Sequence, residues 1–207
     1  GAAGNNQAHI YIAIRRGTKV PESGTEVFEP TTRGGSAPRF STGFPVDLHI
    51  RTNRNGGSNI VYDRFGIQLL TDSTAAGSSA PAGYFASNEG VDMSSGGVET
   101  NEMSWNWKRA PNFCDFVAYS GDGVAGRTVS HNLGVAPEMM WVKRRNAVDG
   151  WVVYHSGFDL DGDGLPETDF GALDNGNHFD GTLWNDTAPT ATEFTVGFQG
   201  AVNDTYS

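Results

Sequence analysis

The sequence predicts an all-β fold: two tandem antiparallel β-sandwich units of jelly-roll or lectin-like type, with an N-terminal strand arm in front of them. Three observations predict it. Short runs rich in β-branched and aromatic residues recur along the chain: HIYIAIR, FPVDLHIR, NIVYDRF, MSWNWK, FCDFVAY, EMMWVK, GWVVYH and TEFTVGF. Turn-forming stretches such as RGGSAP, NRNGG, GSSAPAG, SSGG, SGDG and DGDG separate them, and 28 glycines and 9 prolines in 207 residues leave little room for helices. Third, the chain repeats itself. Slid by about 92 residues, FPVDLHIRTNRNGGSNIVYDRF falls on APEMMWVKRRNAVDGWVVYHSG. Pro45 then meets Pro137, Leu48 meets Met140, Ile50 meets Val142, and Ile60, Val61 and Tyr62 meet Val152, Val153 and Tyr154.

In chain order, residues 1–22 form the arm and its linker, residues 23–110 the first unit and residues 111–207 the second. The arm alternates Ile10, Ile12 and Ile14, a strand pattern. At an offset of about 93, Ile12, Ile14, Arg15 and Arg16 fall on Trp105, Trp107, Lys108 and Arg109, so IAIRR matches the strand that closes the first unit. No further copy of that strand follows GAVNDTYS, and the second unit is expected to lack its last strand while the arm carries a spare one. A chain cut from a longer tandem array gives the same pattern, and the absence of an initiating Met fits a fragment or processed product. Residues 137–149 offer the best helix, but Met140, Trp141 and Val142 are contiguous and apolar where an amphipathic helix needs gaps, which favours a strand.

Lys and Arg number 14 against 24 Asp and Glu, a net charge of −10, so neither nucleic acid nor an anionic membrane surface is an expected partner. No apolar run approaches a bilayer span, and GAAGNNQAH lacks the basic and apolar regions of a signal peptide. Catalysis finds no foothold: there is no GxSxG elbow, and the five histidines show no HxH or HExxH spacing. Glu99 and Glu102 form a compact Glu pair, in a stretch read as a solvated loop. Cys114, the single cysteine, reads as a small core residue. The chain is therefore not expected to be an enzyme.

The sharpest local signal is FDLDGDGLPETDF. Asp159, Asp161 and Asp163 take positions 1, 3 and 5 of a calcium loop, the Leu165 carbonyl takes position 7, and Glu167 or Asp169 completes the shell. Calcium wants six to eight oxygens, which clustered carboxylates and a carbonyl supply. A solvated acidic turn is the plain alternative. Trp141 and Trp151 stand where the first unit has His49 and Asn59, positions that need not be apolar, and are the expected glycan contacts if the sheet stacks on sugar rings.

From Tyr119 onward, the strings AGRTVSHNLGVAPEMMWVKRRNAVDGWVVYHS and WNDTAPTATEFTVGFQGAVND resemble a repeated domain of tail-fibre and other virion-appendage proteins of marine tailed phages, those of cyanobacteria and abundant ocean heterotrophs. IYIAIRRG followed by SGTEVF looks like the junction linking one copy to the next. The resemblance covers the second unit firmly and the first more loosely. It implies a virion-borne, extracellular structural or host-contacting role, with copies of itself, other virion proteins or host surface glycans as partners, and no catalytic residues. A closing strand like IAIRR follows VNDTYS in that family. The acidic DLDGDGLPETD resembles an insertion into the commoner shorter form, so calcium does not come with the resemblance. The expected function is a virion structural subunit, a tail fibre or filament assembling head to tail by strand donation. The alternatives are a free carbohydrate-binding module of lectin-like fold and a sandwich-fold glycan hydrolase.

Overall fold

The computed structural model describes residues 19–93 and 99–205. The arm residues Ile10, Ile12 and Ile14 lie outside them. The first half runs through β1 (Phe28–Arg33), β2 (Phe40–Ser41), β3 (Leu48–Asn53), β4 (Ile60–Asp63), β5 (Ile67–Leu70), β6 (Ser78–Ser79), β7 (Gly90–Val91) and β8 (Glu99–Trp107). Six of these form an antiparallel sheet in the order β1-β8-β3-β4-β5-β6, and β2 pairs with β7 as a separate ribbon. The second half contains β9 (Arg127–Ser130), β10 (Met139–Lys143), β11 (Trp151–His155), β12 (Asp169–Ala172), β13 (His178–Asp180) and β14 (Glu193–Val196). Its sheet is β10-β11-β12-β13, its ribbon β9 with β14, and one turn of helix, α1 (Gly200–Asn203), follows. The fold is all-β with several antiparallel sheets, and 139–143 is a strand as the contiguous apolar residues require.

Each sheet buries one face against its own ribbon. In the first half Phe40 and Val91 from the ribbon meet Tyr62 from β4, with Val46 and Tyr84 closing the cluster. In the second half Val129, Phe194 and Val196 meet Val152 and Tyr154, with Trp184 at the centre. An aromatic pair repeats as well: Tyr62 with Tyr84 at 5.1 Å, Tyr154 with Trp184 at 5.9 Å. Alternating strands cover only one face, yet β3 buries His49 and Ile50 in succession. The second half explains this, because Trp151 from β11 packs on the far face among Ile50, Val61 and Leu69. Its indole Nε1 donates to the Leu70 carbonyl at 2.7 Å. Gly77 N donates to the Arg145 carbonyl at 2.7 Å, an approach that only glycine permits: a Cβ there would lie 2.9 Å from Ile67 Cγ2.

The repeat is real in its pairings but slipped by one residue on one strand. Tyr62 pairs with His49, whereas Tyr154 pairs with Met140; Ile60 pairs with Arg51, and Val152 with Val142. Ile60 and Tyr62 do match Val152 and Tyr154, 92 residues on, but β3 matches β10 at 91: His49 corresponds to Met140 and Ile50 to Trp141. The expected match of Ile50 to Val142 is wrong, since Ile50 faces the other half while Val142 packs on its own half's core. The connection from β10 to β11 holds one residue more than that from β3 to β4. A one-residue slip exchanges the two faces of a strand. Matching hydrogen bonds agree: Arg64 N to the Asp47 carbonyl, and Ser156 N to the Glu138 carbonyl.

Candidate functional site: an open groove and an acidic loop

In the first half β8 lies between β1 and β3 and is hydrogen-bonded to both. The second half has no strand in that place among the described residues. β10 pairs with β11 on one side only. Across from its free edge runs segment 116–121, which holds β1's place in chain order, before the first ribbon strand. The run FCDFVAY reads as a strand in the sequence, yet it joins no sheet. Among the described residues no strand lies beside it to form the ladder by which a strand is defined. The backbone N–H groups of Val117 to Gly121 find no acceptor among the described residues.

Side chains hold this segment at both ends. Asp115 takes Arg109 Nε at 2.6 Å and Asn132 N at 2.7 Å, and Tyr119 donates its hydroxyl to the Val202 carbonyl at 2.6 Å. Burial pushes the Tyr119 hydroxyl up to about 12. Between segment and strand opens a groove of about 1070 Å³. Met140, Val142 and Tyr119 line it on the side of the second half's core; Ile50, Leu69 and Trp107 line it from the first half. Val117, Met139 and Trp141 stand exposed in it. Cys114 lines it too, a half-buried thiol pushed up to about 12 by burial and by the charges of Asp115 and Asp47, hence protonated and a weak nucleophile.

The acidic loop lies between β11 and β12, and it is ten residues longer than the equivalent β4–β5 turn (156–168 against 64–66). One oxygen from each of Asp159, Asp161 and Asp163 lies within 4.8 Å of the others, all three residues being exposed. Gly162 and Gly164, at φ +82° and +76°, take the turns that bring them together. On Asp163 the Leu165 amide pulls the carboxyl down, but desolvation and the neighbouring Asp161 and Asp159 outweigh it and leave the group above its usual range. The other expected ligands are elsewhere. The Leu165 carbonyl accepts from both Thr168 N and Thr168 Oγ1, which occupies its lone pairs. Asp169 is 0% exposed on β12, where Oδ2 accepts from Leu160 N and fastens the base of the loop. Glu167 sits in a 3₁₀ turn, Pro166–Thr168, outside the cluster.

The two expected glycan contacts separate. Trp141 is 43% exposed at the open edge, but Trp151 is 5% exposed, because its face of β11 is the one that packs on the first half. Glu102 is not in a solvated loop: it lies on β8, paired with Arg33 at 2.8 Å and Arg51 at 3.5 Å.

A family model described as Domain of unknown function (DUF7483) matches residues 54–207. The chain belongs to this family. No curated protein and no solved structure matches it. The family segment begins between β3 and β4, so it includes Trp151 with Val61 and Leu69, though not Ile50, and both walls of the groove in the second half. No helix among the described residues is long and apolar enough to cross a membrane.

The sequence reading took His49 only as a position that need not be apolar, and the structure buries it. His49, 0% exposed, stacks on Tyr62 at 4.8 Å and its Nδ1 lies 2.9 Å from Ser104 Oγ. A histidine inside an alternating apolar run, facing Ser and Asn on the partner strand, is the signal that marks it.

Proposed function

We propose that this chain is a non-catalytic structural subunit of a virion appendage, a tail fibre or filament displayed outside the cell, whose copies join head to tail by strand donation. In this reading each half is one two-layered β-sandwich unit of a tandem array. The edge of β10, which pairs with no strand among the described residues where the first half holds β8, is the observation that carries it. Free strand edges recruit partners, and a contact between two different surfaces propagates instead of closing on itself. The phage-appendage part rests on the sequence resemblance described above. Removing residues 1–16 is expected to give a folded chain that no longer forms polymers by electron microscopy and sedimentation. Unimpaired polymerisation of the shortened chain would overturn strand donation.

The acidic loop is read as a structural clip for calcium within the same subunit. Three carboxylates supply part of the shell, with water completing it, and the ion relieves the repulsion that raises Asp163. Millimolar calcium is expected to raise the melting temperature, and Asp161→Asn to remove most of the increment. A melting temperature indifferent to calcium and to chelator would exclude the clip.

A further inference from the structure

We propose that the groove beside β10 receives residues 10–14 of a second copy of this chain, antiparallel to β10 and in a register that sets Ile12 opposite Trp141. The inference rests on the structural-subunit reading and specifies the joint that such a subunit uses.

The first half supplies the template. β8 pairs with β3 so that Trp107 faces Leu48, Asn106 faces His49, Trp105 faces Ile50 and Ser104 faces Arg51. β3 maps on β10 at 91 residues, and the arm maps on β8 with Ile12 in the place of Trp105 and Ile14 in the place of Trp107. Combining the two sets Ile14 opposite Met139, Ala13 opposite Met140, Ile12 opposite Trp141 and Tyr11 opposite Val142.

The chemistry of the two walls matches this register. In the first half the core-facing residues of β8 are Ser104 and Asn106, and Ser104 bonds His49. In the second half Met140 replaces His49, and the arm brings Ala13 and Tyr11 in place of the polar pair. The polar partners are exchanged for apolar ones on both sides of the joint. Ile10 to Ile14 is an unbroken apolar run, the signature of a strand covered on both faces. The groove is apolar on both sides: Met140, Val142 and Tyr119 on one, Ile50, Leu69 and Trp107 on the other. Residues 1–18 contain Arg15 and Arg16 and no acid, on a chain of net charge −10. Arg109 N donates to Asp47 Oδ2 at 2.8 Å at the end of β8, and the counterparts of this pair are Arg16 and Glu138.

A second copy is the occupant for a reason visible within one chain. β8 leads directly into the second half, yet it fills the first half's place and leaves the groove of the half it precedes open. The arm leads into the first half in the same way, and the place beside β3 is already filled by β8, so the open place it matches is the one beside β10 in a second copy. Strand addition of this kind draws its affinity from main-chain hydrogen bonds and its specificity from alternate side chains.

The test uses full-length chains carrying Cys114→Ser. Ile12→Cys in one chain is mixed with Trp141→Cys, Met139→Cys or Lys143→Cys in another, and the mixture is oxidised. A disulfide-linked dimer dominated by the Ile12–Trp141 combination is the expected result. Dominance of Met139 or Lys143 overturns the register. An intrachain bond at high dilution in the Ile12→Cys/Trp141→Cys double variant overturns the second copy as occupant. Failure of every combination in chains that still polymerise overturns the joint and leaves the structural-subunit reading standing; failure together with loss of polymers in the unsubstituted chain removes both. Hydrogen exchange guards against misfolded variants: the peptide NNQAHIYIAIRR, added to the chain lacking residues 1–16, is expected to protect amides of Met139–Lys143, and unchanged exchange there counts against the proposal.

Discussion

Trp151→Ala is expected to lower stability by about 3–5 kcal/mol, the range for truncating a buried tryptophan, and to change how the chain unfolds. Trp151 is the fully buried contribution of the second half to the cluster formed with Ile50, Val61 and Leu69. Its removal opens a cavity between the halves and leaves the Leu70 carbonyl without its indole donor. The two cores built on each half's own ribbon contain no part of Trp151 and stay packed. Calorimetry is therefore expected to show one transition becoming two, or a single broad one. Trp151→Phe keeps most of the packing and loses the hydrogen bond, a change of about 1 kcal/mol. Trp141→Ala, at an exposed edge, is expected to leave monomer stability within about 0.5 kcal/mol. Equal losses for Trp141→Ala and Trp151→Ala would mean that Trp151 does not hold the halves together.

That contrast also marks where the sequence was legible. The β class, the hairpins at 48–63 and 139–155, and their repetition were readable because turn residues and β-branched runs are local signals. Their facing was not. Ile50 and Val142 are both aliphatic and align without a gap, but one extra residue in the second connection puts them on opposite faces. Trp141 and Trp151 looked alike for the same reason. Both lie on the face away from the ribbon, and only the docking of one half on the other decides which is covered. The short strands β2, β6, β7 and β13 carry too few residues for any period to show. In β8 the alternation itself misleads, since Ser104 and Asn106 point into the core and Trp105 and Trp107 point away from it. A sheet buried on both faces removes the rule that the apolar side is the inner one.

The open edge of β10 was legible from comparing the chain with itself, since the repeat puts β8 beside β3 and no described strand beside β10. The walls of the groove were not, since they need the tertiary approach of Tyr119 and Trp107. The acidic loop shows the reverse. Its three leading carboxylates do converge, as their spacing implied, while the Leu165 carbonyl is taken by Thr168, Asp169 is buried on the strand that follows, and Glu167 sits in the 3₁₀ turn outside the cluster.

The largest pH effect is expected from His49. Ser104 Oγ donates to Asn106 Oδ1 at 2.9 Å, so its contact with His49 must be one in which it accepts, and the ring carries its proton on Nδ1. Nε2 is left buried with no partner among the described residues. A second proton would have to enter there, among Tyr62, Phe40, Tyr84 and Phe85, with no acceptor. Burial, and next the charge of Arg51, lower the group from 6.5 to about 3. The groups packed round it are Arg51, itself paired with Glu102, and the rings of Tyr62 and Tyr84. Between pH 6.5 and 3 the unfolded chain therefore binds a proton that the folded chain refuses. Stability rises with pH through that window, is complete above it, and falls by about 1.4 kcal/mol for each unit of acidification within it. Denaturant titrations at pH 7 and pH 5 are expected to differ by about 2 kcal/mol from this group alone. His49→Asn keeps a donor toward Ser104 and removes the titration: the variant is expected to be less stable at pH 7 but to lose about 2 kcal/mol less on going to pH 5. Parallel pH profiles for the two proteins would show that the folded chain accepts the proton after all.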